Sequence, residues 1–133
     1  MKLSLIIPAY NEEKRILIPL NSFYDFFHKK LGKEFEIIVV PNNCKDNTLG
    51  VVKEFAKNKD NIKVLNIPGY SGKGGAVIEG FRLATGDLIG FADADESTSV
   101  HEFNKLYNNI GFFDGIIGSR RMKGSKIHQK RTF

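Results

Sequence analysis

The chain opens on an apolar run that passes directly into a polar turn, Leu3-Ser4-Leu5-Ile6-Ile7-Pro8-Ala9-Tyr10-Asn11-Glu12. A run of branched apolar residues that is closed by a proline is typical of a buried strand, here predicted over residues 3–7. Ligands of parallel α/β sheets bind beyond the carboxyl ends of the strands. The polar residues that follow the run are therefore the first candidates for a functional site.

The same order of apolar run and polar turn recurs along the chain, with helical patterns between the runs. Further strands are predicted over residues 36–40, 62–67, 87–92 and 114–117. Helices are predicted from near Pro19 to Leu31, with Gly32 as a stop, and over residues 47–58, 72–84 and 100–108. This alternation predicts an α/β fold made of right-handed βαβ units, with a mainly parallel sheet flanked by helices.

Composition and length indicate one globular domain with a basic tail. The chain has 133 residues, of which 41% are hydrophobic and 26% charged, and a net charge of +5. Residues 119–133 carry six of the 20 basic side chains and no acid, so the first 118 residues hold 14 basic and 15 acidic side chains. We expect a core over residues 1–118 and a basic segment over residues 119–133, which either attracts phosphates, nucleic acid or an anionic membrane, or is a solvated terminus.

Several classes of protein are disfavoured by what the sequence lacks. No apolar run approaches the ~20 residues that a membrane-spanning helix needs, and the N-terminus lacks the pattern of a signal peptide. Cys44 is the single cysteine and cannot form an internal disulfide, which predicts a reduced, cytoplasmic protein. The aromatic residues are not interleaved with basic ones as in RNA-binding modules, so we expect no nucleic-acid partner.

Asp93-Ala94-Asp95, directly after the fourth predicted strand, is a candidate metal site. Residues two apart on an extended backbone point the same way, and two neighbouring carboxylates favour a cation that neutralises them. Mg²⁺ and Mn²⁺ take oxygen ligands and often use one or two carboxylates together with phosphate oxygens. The alternative is a turn in which Asp95 caps the following helix.

Gly72-Lys73-Gly74-Gly75-Ala76 opens a predicted helix and is a candidate anion site. Backbone amides at a helix start, close-approach glycines and a lysine all favour a phosphate. The spacing is neither that of a P-loop nor that of a dinucleotide-binding fingerprint. The alternative is that Gly74 and Gly75 serve tight helix–sheet packing.

Two further clusters are polar or basic. Residues 8–12 offer a ring, an amide and a carboxylate to a base and ribose, or else they start a helix with Asn11 as its cap. Arg120 and Arg121 follow the fifth predicted strand, where arginine forks suit phosphates or simply form a basic surface loop. No spacing of the histidines indicates a metal or a catalytic triad.

Taken together, the motifs resemble those of family 2 glycosyltransferases. They occur in the family's order: Pro-Ala-Tyr-Asn-Glu, Lys-Asp-Asn-Thr, Gly-Lys-Gly-Gly-Ala, Ala-Thr-Gly-Asp and Phe-Ala-Asp-Ala-Asp, then Ile-Gly-Ser-Arg. The set is most similar to dolichyl-phosphate glucosyltransferases and mannosyltransferases. The resemblance implies a GT-A (Rossmann-like) nucleotide-diphospho-sugar transferase sandwich, an Mg²⁺ or Mn²⁺ cofactor, a nucleotide-sugar donor and a polyprenyl phosphate acceptor.

The resemblance also implies roles for individual residues. Asn42 would bind the base as a hydrogen-bond donor or acceptor, and Lys73 would lie near the sugar nucleotide. The residues that would line the base and ribose pocket are Pro8, Ala9, Tyr10 and Glu12. Asp93 lies near the ribose or the metal, and Asp95 binds the metal through the diphosphate. Arg120 matches the family's Ser-Arg arginine and Arg131 a later basic residue, and both face the diphosphate or the acceptor phosphate.

Two departures from the family pattern shape the expected function. The family's Asp-Asp-Gly-Ser segment is replaced by Pro41-Asn42-Asn43-Cys44-Lys45-Asp46, and the chain ends ahead of the family's acceptor half. The expected reaction is inverting, metal-assisted transfer of a hexose from UDP-glucose or GDP-mannose to polyprenyl or dolichyl phosphate, at the cytoplasmic face of a membrane. The alternative is a truncated module that binds a nucleotide or an anionic lipid without transferring sugar.

Overall fold

The computed structural model describes residues 2–95 and 99–111. Residues 2–95 form a four-stranded sheet in the order β3-β2-β1-β4, and every pair is parallel. The elements of this part are β1 (Leu3–Ala9), α1 (Leu17–Leu31), a 3-10 turn (Gly32–Glu34), β2 (Phe35–Pro41), α2 (Thr48–Ala56), β3 (Ile62–Val64), α3 (Gly72–Leu83) and β4 (Leu88–Phe91). The predicted parallel α/β class is confirmed.

The burial of the two central strands, β1 and β2, explains why their sequences are continuous apolar runs. All seven residues of β1 and all seven of β2 are buried, and the register runs from Leu3 opposite Phe35 to Ala9 opposite Pro41. A parallel strand that is covered on both faces has no side towards solvent, so its sequence lacks the alternating polar residues of a half-exposed strand. The exceptions are Ser4 and Glu36, which lie opposite each other.

The predicted ends of the first two strands are wrong by one or two residues, because each strand includes its proline. The backbone N–H of Ala92 donates to the carbonyl oxygen of Ile6 at 3.0 Å, so Ile6 faces β4, and the nitrogen of Pro8, two residues on, faces the same side. The β1–β4 pairing ends with Ile6 opposite Phe91. The missing N–H of Pro8 therefore falls where no further ladder bond is made.

The third strand is shorter than predicted but continues as isolated contacts. Its regular part ends at Val64, after which a single bridge joins Ile67 to Asn42. The N–H of Ile67 donates to the carbonyl oxygen of Pro41 at 2.8 Å. This contact brings the loop after β3 to the end of β2.

Helices cover both faces of the sheet. Phe27 of α1 packs against Phe35 with ring centroids 5.3 Å apart, whereas Ala76 of α3 clusters with Ile6, Ile38 and Val40. Successive strand residues point to opposite faces, so α1 and α3 lie on opposite sides. The sandwich thus places the starts of α1, α2 and α3 at the carboxyl edge of the sheet.

The helix limits follow the local sequence signals. Pro19 lies in the first turn of α1, where its missing N–H costs nothing, and Gly32 ends the helix with a left-handed φ of 57°. Both features confirm the prediction. The close approach of α3 to the sheet occurs at Gly80, where an added Cβ would lie 2.6 Å from Cγ2 of Ile6.

A buried carboxylate lies at the amino edge of the sheet, opposite to the loops that carry the motifs. Glu36 Oε1 accepts hydrogen bonds from Ser4 Oγ at 2.6 Å and from the amide and hydroxyl of Thr85 at 2.8 and 2.9 Å. Its Oε2 lies 2.9 Å from Lys63 Nζ and 3.7 Å from Lys2 Nζ. Burial raises the pKa of Glu36, but the hydrogen bonds from Ser4, Thr85 and Lys63 outweigh it and hold the pKa at about 2.

The chain divides into two compact units after Val100, and all but the first residue of α4 (Val100–Asn109), the last helix within the described residues, belongs to the second unit. This helix carries an internal ion pair between Glu102 and Lys105 at 3.2 Å. No helix in residues 2–95 or 99–111 is both long and apolar enough to cross a membrane. The fifth predicted strand and the predicted boundary at residue 118 lie outside the described residues.

Candidate nucleotide-sugar site

The loops that follow the strands meet at the carboxyl edge of the sheet, as the sequence predicts. The backbone N–H of Asn42 donates to the carbonyl oxygen of Ala9 at 2.8 Å, and that of Asn43 donates to Ile67 at 2.7 Å. These bonds join the ends of β1 and β2 to the segment after β3. Segments that are 33 and 24 residues apart in the sequence therefore share one edge.

Asn11 connects the loop after β1 to the loop after β2 rather than capping a helix. Its φ is 50°, and its Oδ1 accepts hydrogen bonds from the backbone N–H groups of Lys45 at 2.7 Å and Asp46 at 3.4 Å. The α1 helix begins six residues later, at Leu17, without a side-chain cap. The interpretation of Asn11 as a helix cap is therefore wrong, because its amide oxygen is bonded to the other loop.

A second set of contacts fixes the same two loops, and sequence reasoning assigns it no structural role. Asp46 accepts hydrogen bonds from the amide and hydroxyl of Thr48 and from the amide of Glu13, and Thr48 Oγ1 accepts one from the Glu12 amide at 2.9 Å. Desolvation raises the pKa of Asp46, but the bonds from Thr48 and Glu13 outweigh it and lower the pKa below its ordinary value of 3.8. The available signal is the Lys-Asp-Asn-Thr motif, whose aspartate and threonine are the residues that make these bonds.

The residues predicted to surround the base differ in their exposure. Pro8 and Ala9 are buried as the last residues of β1, whereas the ring of Tyr10 is 57% exposed. Glu12 Oε2 is buried and lies 2.7 Å from Nε of Arg15, an ion pair without hydrogen-bond geometry. Their contacts with a nucleotide remain a prediction.

A surface depression of about 370 Å³ lies beside the first loop. It is lined by Asn11, Glu12, Glu13, Lys14, Arg15 and Asp46. The charges in it are of both signs, and Arg15 Nη2 donates to Glu12 Oε1 at 2.9 Å. Of the residues predicted to bind the nucleotide, only Glu12 lines this depression.

Asn42 is buried at the end of β2 and is tied to the glycine-rich loop. It is 5% exposed, and its Oδ1 accepts a hydrogen bond from Ser71 Oγ at 2.9 Å. Ser71 immediately precedes α3, so this bond joins the proposed base-reading residue to the start of the helix that carries Lys73. Recognition of the base by Asn42 stays a prediction.

Cys44 acts as a packing thiol between the loops. Its Sγ donates to the carbonyl oxygen of Ala9 at 3.4 Å and accepts from the backbone N–H of Asn11 at the same distance. The thiol is free and half-buried. These contacts join the loop after β2 to the end of β1.

Lys73 and Asp93 form an ion pair between the start of α3 and the loop after β4. Their side chains are 53% and 26% exposed, so both are accessible to solvent. The two residues are 20 positions apart in the sequence, and the sequence gives no sign that they pair. The contact places a cation directly on one of the two candidate metal ligands.

The backbone after β4 is only partly as predicted. Strand pairing ends at Phe91 and Ala94–Asp95 lie in a turn, so extended geometry does not set the direction of the two carboxylates. Burial still alternates, since Ala92 and Ala94 are 2% and 5% exposed while Asp93 and Asp95 are half-buried. The carboxylates are thus the accessible members of this segment.

The carboxylates of Asp93 and Asp95 are of the ligand type that a hard divalent cation takes, and their binding of a metal stays a prediction. Among the described residues no group of three or more His, Cys, Asp or Glu side chains could hold a metal ion. Two accessible carboxylates remain sufficient for Mg²⁺ or Mn²⁺ when phosphate oxygens complete the coordination. In the described structure the charge of Asp93 is balanced by the ion pair to Lys73.

The glycines of the Gly-Lys-Gly-Gly segment do not pack the helix against the sheet. A Cβ added at Gly74 would meet nothing within 4 Å, and one at Gly75 would meet Ser71 at 3.0 Å. The packing alternative is therefore wrong for Gly74 and limited to a contact with Ser71 for Gly75. Gly72 has a φ of 69°, which glycine adopts without strain. Arg120, Arg121 and Arg131 lie outside the described residues.

Solved structures with the same architecture define the class of this fold as that of GT-A glycosyltransferases. The structure of S. aureus TarS 1–349 matches with a TM-score of 0.66 and 32% identity, covering 83% of this chain and 32% of that one. The mannosyltransferase PcManGT from Pyrobaculum calidifontis, in complex with GDP-Man and Mn²⁺, matches with a TM-score of 0.72 and 22% identity over 83% of this chain and 32% of its own. The second likeness shows the fold alone.

The chain belongs to glycosyl transferase family 2, whose sequence profile matches residues 4–132. Three similar relatives are dolichyl-phosphate beta-glucosyltransferases. The protein of Trichomonas vaginalis is 36% identical over 98% of this chain and 43% of its own length. That of Saccharomyces cerevisiae is 37% identical over 81% and 34%, and that of Homo sapiens 32% over 82% and 36%. This chain therefore spans between 34% and 43% of the length of these relatives.

Proposed function

We propose that this chain forms the nucleotide-sugar-binding part of an inverting transferase that moves a hexose to polyprenyl or dolichyl phosphate. The observation that carries the proposal is the meeting of Lys73, Asp93 and the Asn42–Ser71 pair at the carboxyl edge of a family 2 fold. A cation, an accessible carboxylate and an amide on neighbouring loops of one sheet edge suit a ligand that joins a base to a diphosphate.

The names of the relatives favour UDP-glucose over GDP-mannose as the proposed donor of this chain. The three curated relatives are named as glucosyltransferases, and the TarS domain, 32% identical, has been solved in complex with UDP-GlcNAc and with UDP. The mannosyltransferase that holds GDP-Man is only 22% identical. Asn42 suits either base, because an amide both donates and accepts hydrogen bonds.

Asp93 and Asp95 are the residues that would hold Mg²⁺ or Mn²⁺. When bound, such an ion neutralises developing negative charge on the departing nucleoside diphosphate. Lys73 supplies a further positive charge at the start of α3, where the helix dipole also favours anions. Arg120 and Arg131 would face the diphosphate or the acceptor phosphate and add charge-assisted hydrogen bonds.

The acceptor explains why the site needs no strong base. A phosphate monoester is already ionised near neutral pH, so its oxygen attacks the anomeric carbon without losing a proton to a side chain. The harder task is stabilising the leaving group, which falls to the positively charged residues of the edge. Because the acceptor is a lipid, the chain would work at a membrane surface, and the cytoplasmic face is proposed because its anionic lipids attract basic segments such as residues 119–133.

Asp95→Asn tests this proposal in the intact protein. The change keeps the size of the side chain and removes its charge, so we expect transfer of glucose from labelled UDP-glucose to a short polyprenyl phosphate to fall by about 100-fold or more. Asp25→Asn, an exposed aspartate on α1, is the matched control and should retain the wild-type rate. Full metal-dependent transfer in Asp95→Asn would contradict the proposed role.

The alternative is a module that binds a nucleotide or an anionic lipid without transferring sugar. The observation in its favour is that the family's Asp-Asp-Gly-Ser segment is replaced here, so that Asn42 stands at the base-reading position. It predicts binding of UDP by the wild-type protein together with the absence of any glucosyl lipid product in the same assay.

A further inference from the structure

The ion pair between Lys73 and Asp93 joins two groups that the proposed function uses in different ways. Asp93 is a candidate metal ligand, whereas Lys73 is a candidate phosphate ligand. In the described structure Lys73 Nζ instead contacts Asp93 Oδ1. Both side chains reach solvent, so a dissolved cation has access to the carboxylate that the lysine occupies.

The elements on either side of the pair allow the lysine to change partners. Lys73 is the second residue of α3, which begins at Gly72, and Gly74 has open space where a side chain would lie. The helix itself is held farther along, at Ala76, Val77 and Gly80, which are buried. The flexible stem of Lys73 can therefore reorient while the helix stays in place.

Electrostatics then gives Lys73 opposite effects on two ligands. Without a nucleotide, its ammonium group competes with a divalent cation for Asp93, because both are attracted to the same oxygen. With a nucleoside diphosphate bound, the phosphates offer the ammonium group a new partner, and its positive charge favours binding. One residue would thus weaken metal binding alone and strengthen diphosphate binding.

We propose that Lys73 is a placeholder cation on Asp93, which gives up the carboxylate to the metal and passes to the diphosphate when the donor binds. This inference rests on the proposed function and extends it, because it makes the metal and the nucleotide bind with positive coupling. The coupling follows from linkage: whatever moves Lys73 off Asp93 raises the affinity for the metal.

Lys73→Met in the 133-residue chain tests the exchange, because methionine keeps much of the apolar stem and removes the charge. We expect Mn²⁺ alone, followed by the electron paramagnetic resonance of the free ion, to bind about two- to fivefold more tightly than in the wild type. We expect UDP, titrated by calorimetry at saturating Mn²⁺, to bind about tenfold more weakly. GDP is titrated in parallel, so that the outcome does not depend on the base.

Two variants separate the exchange from a general loss of charge. Lys73→Arg keeps the positive charge and should leave the affinity for Mn²⁺ alone close to that of the wild type. Lys29→Met removes one exposed lysine in the last turn of α1, at the opposite edge of the sheet, and should change neither affinity. Circular dichroism and a thermal melt confirm that each variant is folded.

The outcomes distinguish this inference from the function on which it rests. Opposite changes in the Mn²⁺ and UDP affinities of Lys73→Met support the exchange. An unchanged or weaker affinity for Mn²⁺, in a wild-type chain that binds both ligands, overturns the placeholder role and leaves the donor site intact. A folded wild-type chain that binds neither Mn²⁺ nor either nucleotide overturns both.

Discussion

At the scale of single residues, Glu36 shows how a charge can be buried without being a functional site. Its side chain is 3% exposed and accepts hydrogen bonds from Ser4 and Thr85. It also forms ion pairs with two lysine ammonium groups. Gly86, next to Thr85, donates to Ser4 Oγ at 2.8 Å. The Ala-Thr-Gly-Asp motif thus uses its threonine and glycine to bind the amino edge of the sheet.

Glu36→Gln is expected to lower the free energy of unfolding by about 2–4 kcal/mol at neutral pH. If the amide nitrogen of the glutamine faces Lys63, two donors oppose each other. If it faces Thr85, the oxygen that accepts the Thr85 hydrogen bonds is lost. One contact is therefore lost in each orientation. Urea denaturation followed by circular dichroism measures the effect. Glu34→Gln, an exposed glutamate two residues earlier, is the control and should stay within about 0.5 kcal/mol of the wild type.

The pH dependence of the stability difference between the wild type and Glu36→Gln follows from the lowered pKa of Glu36. The folded pKa is about 2 and the ordinary value is 4.5, so the stabilisation is complete above 4.5 and is lost as the pH falls towards 2. We expect the stability difference between the wild type and Glu36→Gln to be constant above about pH 5 and to shrink below it. A difference that stayed constant down to about pH 3 would contradict this account of the carboxylate.

At the scale of elements, the position of α3 depends on one glycine. A Cβ at Gly80 would lie 2.6 Å from Cγ2 of Ile6, which is fully buried, whereas a Cβ at Gly74 would meet nothing within 4 Å. Gly80→Ala should therefore destabilise the fold by about 1–3 kcal/mol, and Gly74→Ala should remain within about 1 kcal/mol of the wild type. Equal stability of the two variants in urea denaturation would show that α3 can shift without cost.

The patterns in the sequence predict the elements better than their ends. Continuous apolar runs predict β1 and β2 because both strands are buried on both faces, and Gly32 predicts the end of α1 because its φ is positive. The ends at Pro8 and Pro41 are missed, because a proline is tolerated wherever its missing N–H has no ladder partner. That depends on the neighbouring strand, which the local sequence does not contain.

The contacts between loops are harder to predict than the loops themselves. Asn11 has the features of a helix cap in its local sequence, yet its side chain bonds to Lys45 and Asp46 on the next loop. Lys73 and Asp93 belong to two separate motifs, and their pairing depends on where α3 begins relative to the end of β4. Such contacts follow from the order of the strands, which periodicity does not reveal.

At the scale of the whole molecule, the order β3-β2-β1-β4 explains why the motifs converge. All four strands run in the same direction, so the segments that follow them share the carboxyl edge, as the sequence predicts. The amino edge is occupied instead by the buried Glu36 contacts. The fold therefore separates a stabilising edge from an edge that carries the candidate site.

The most direct test of the donor site is calorimetric titration of UDP into this chain with and without Mn²⁺. We expect UDP to bind in the presence of Mn²⁺, to bind at least about tenfold more weakly without it, and to lose the metal-dependent part in Asp95→Asn. A folded wild-type chain that binds UDP equally well with and without Mn²⁺, or does not bind it at all, would contradict the proposed metal-assisted donor site.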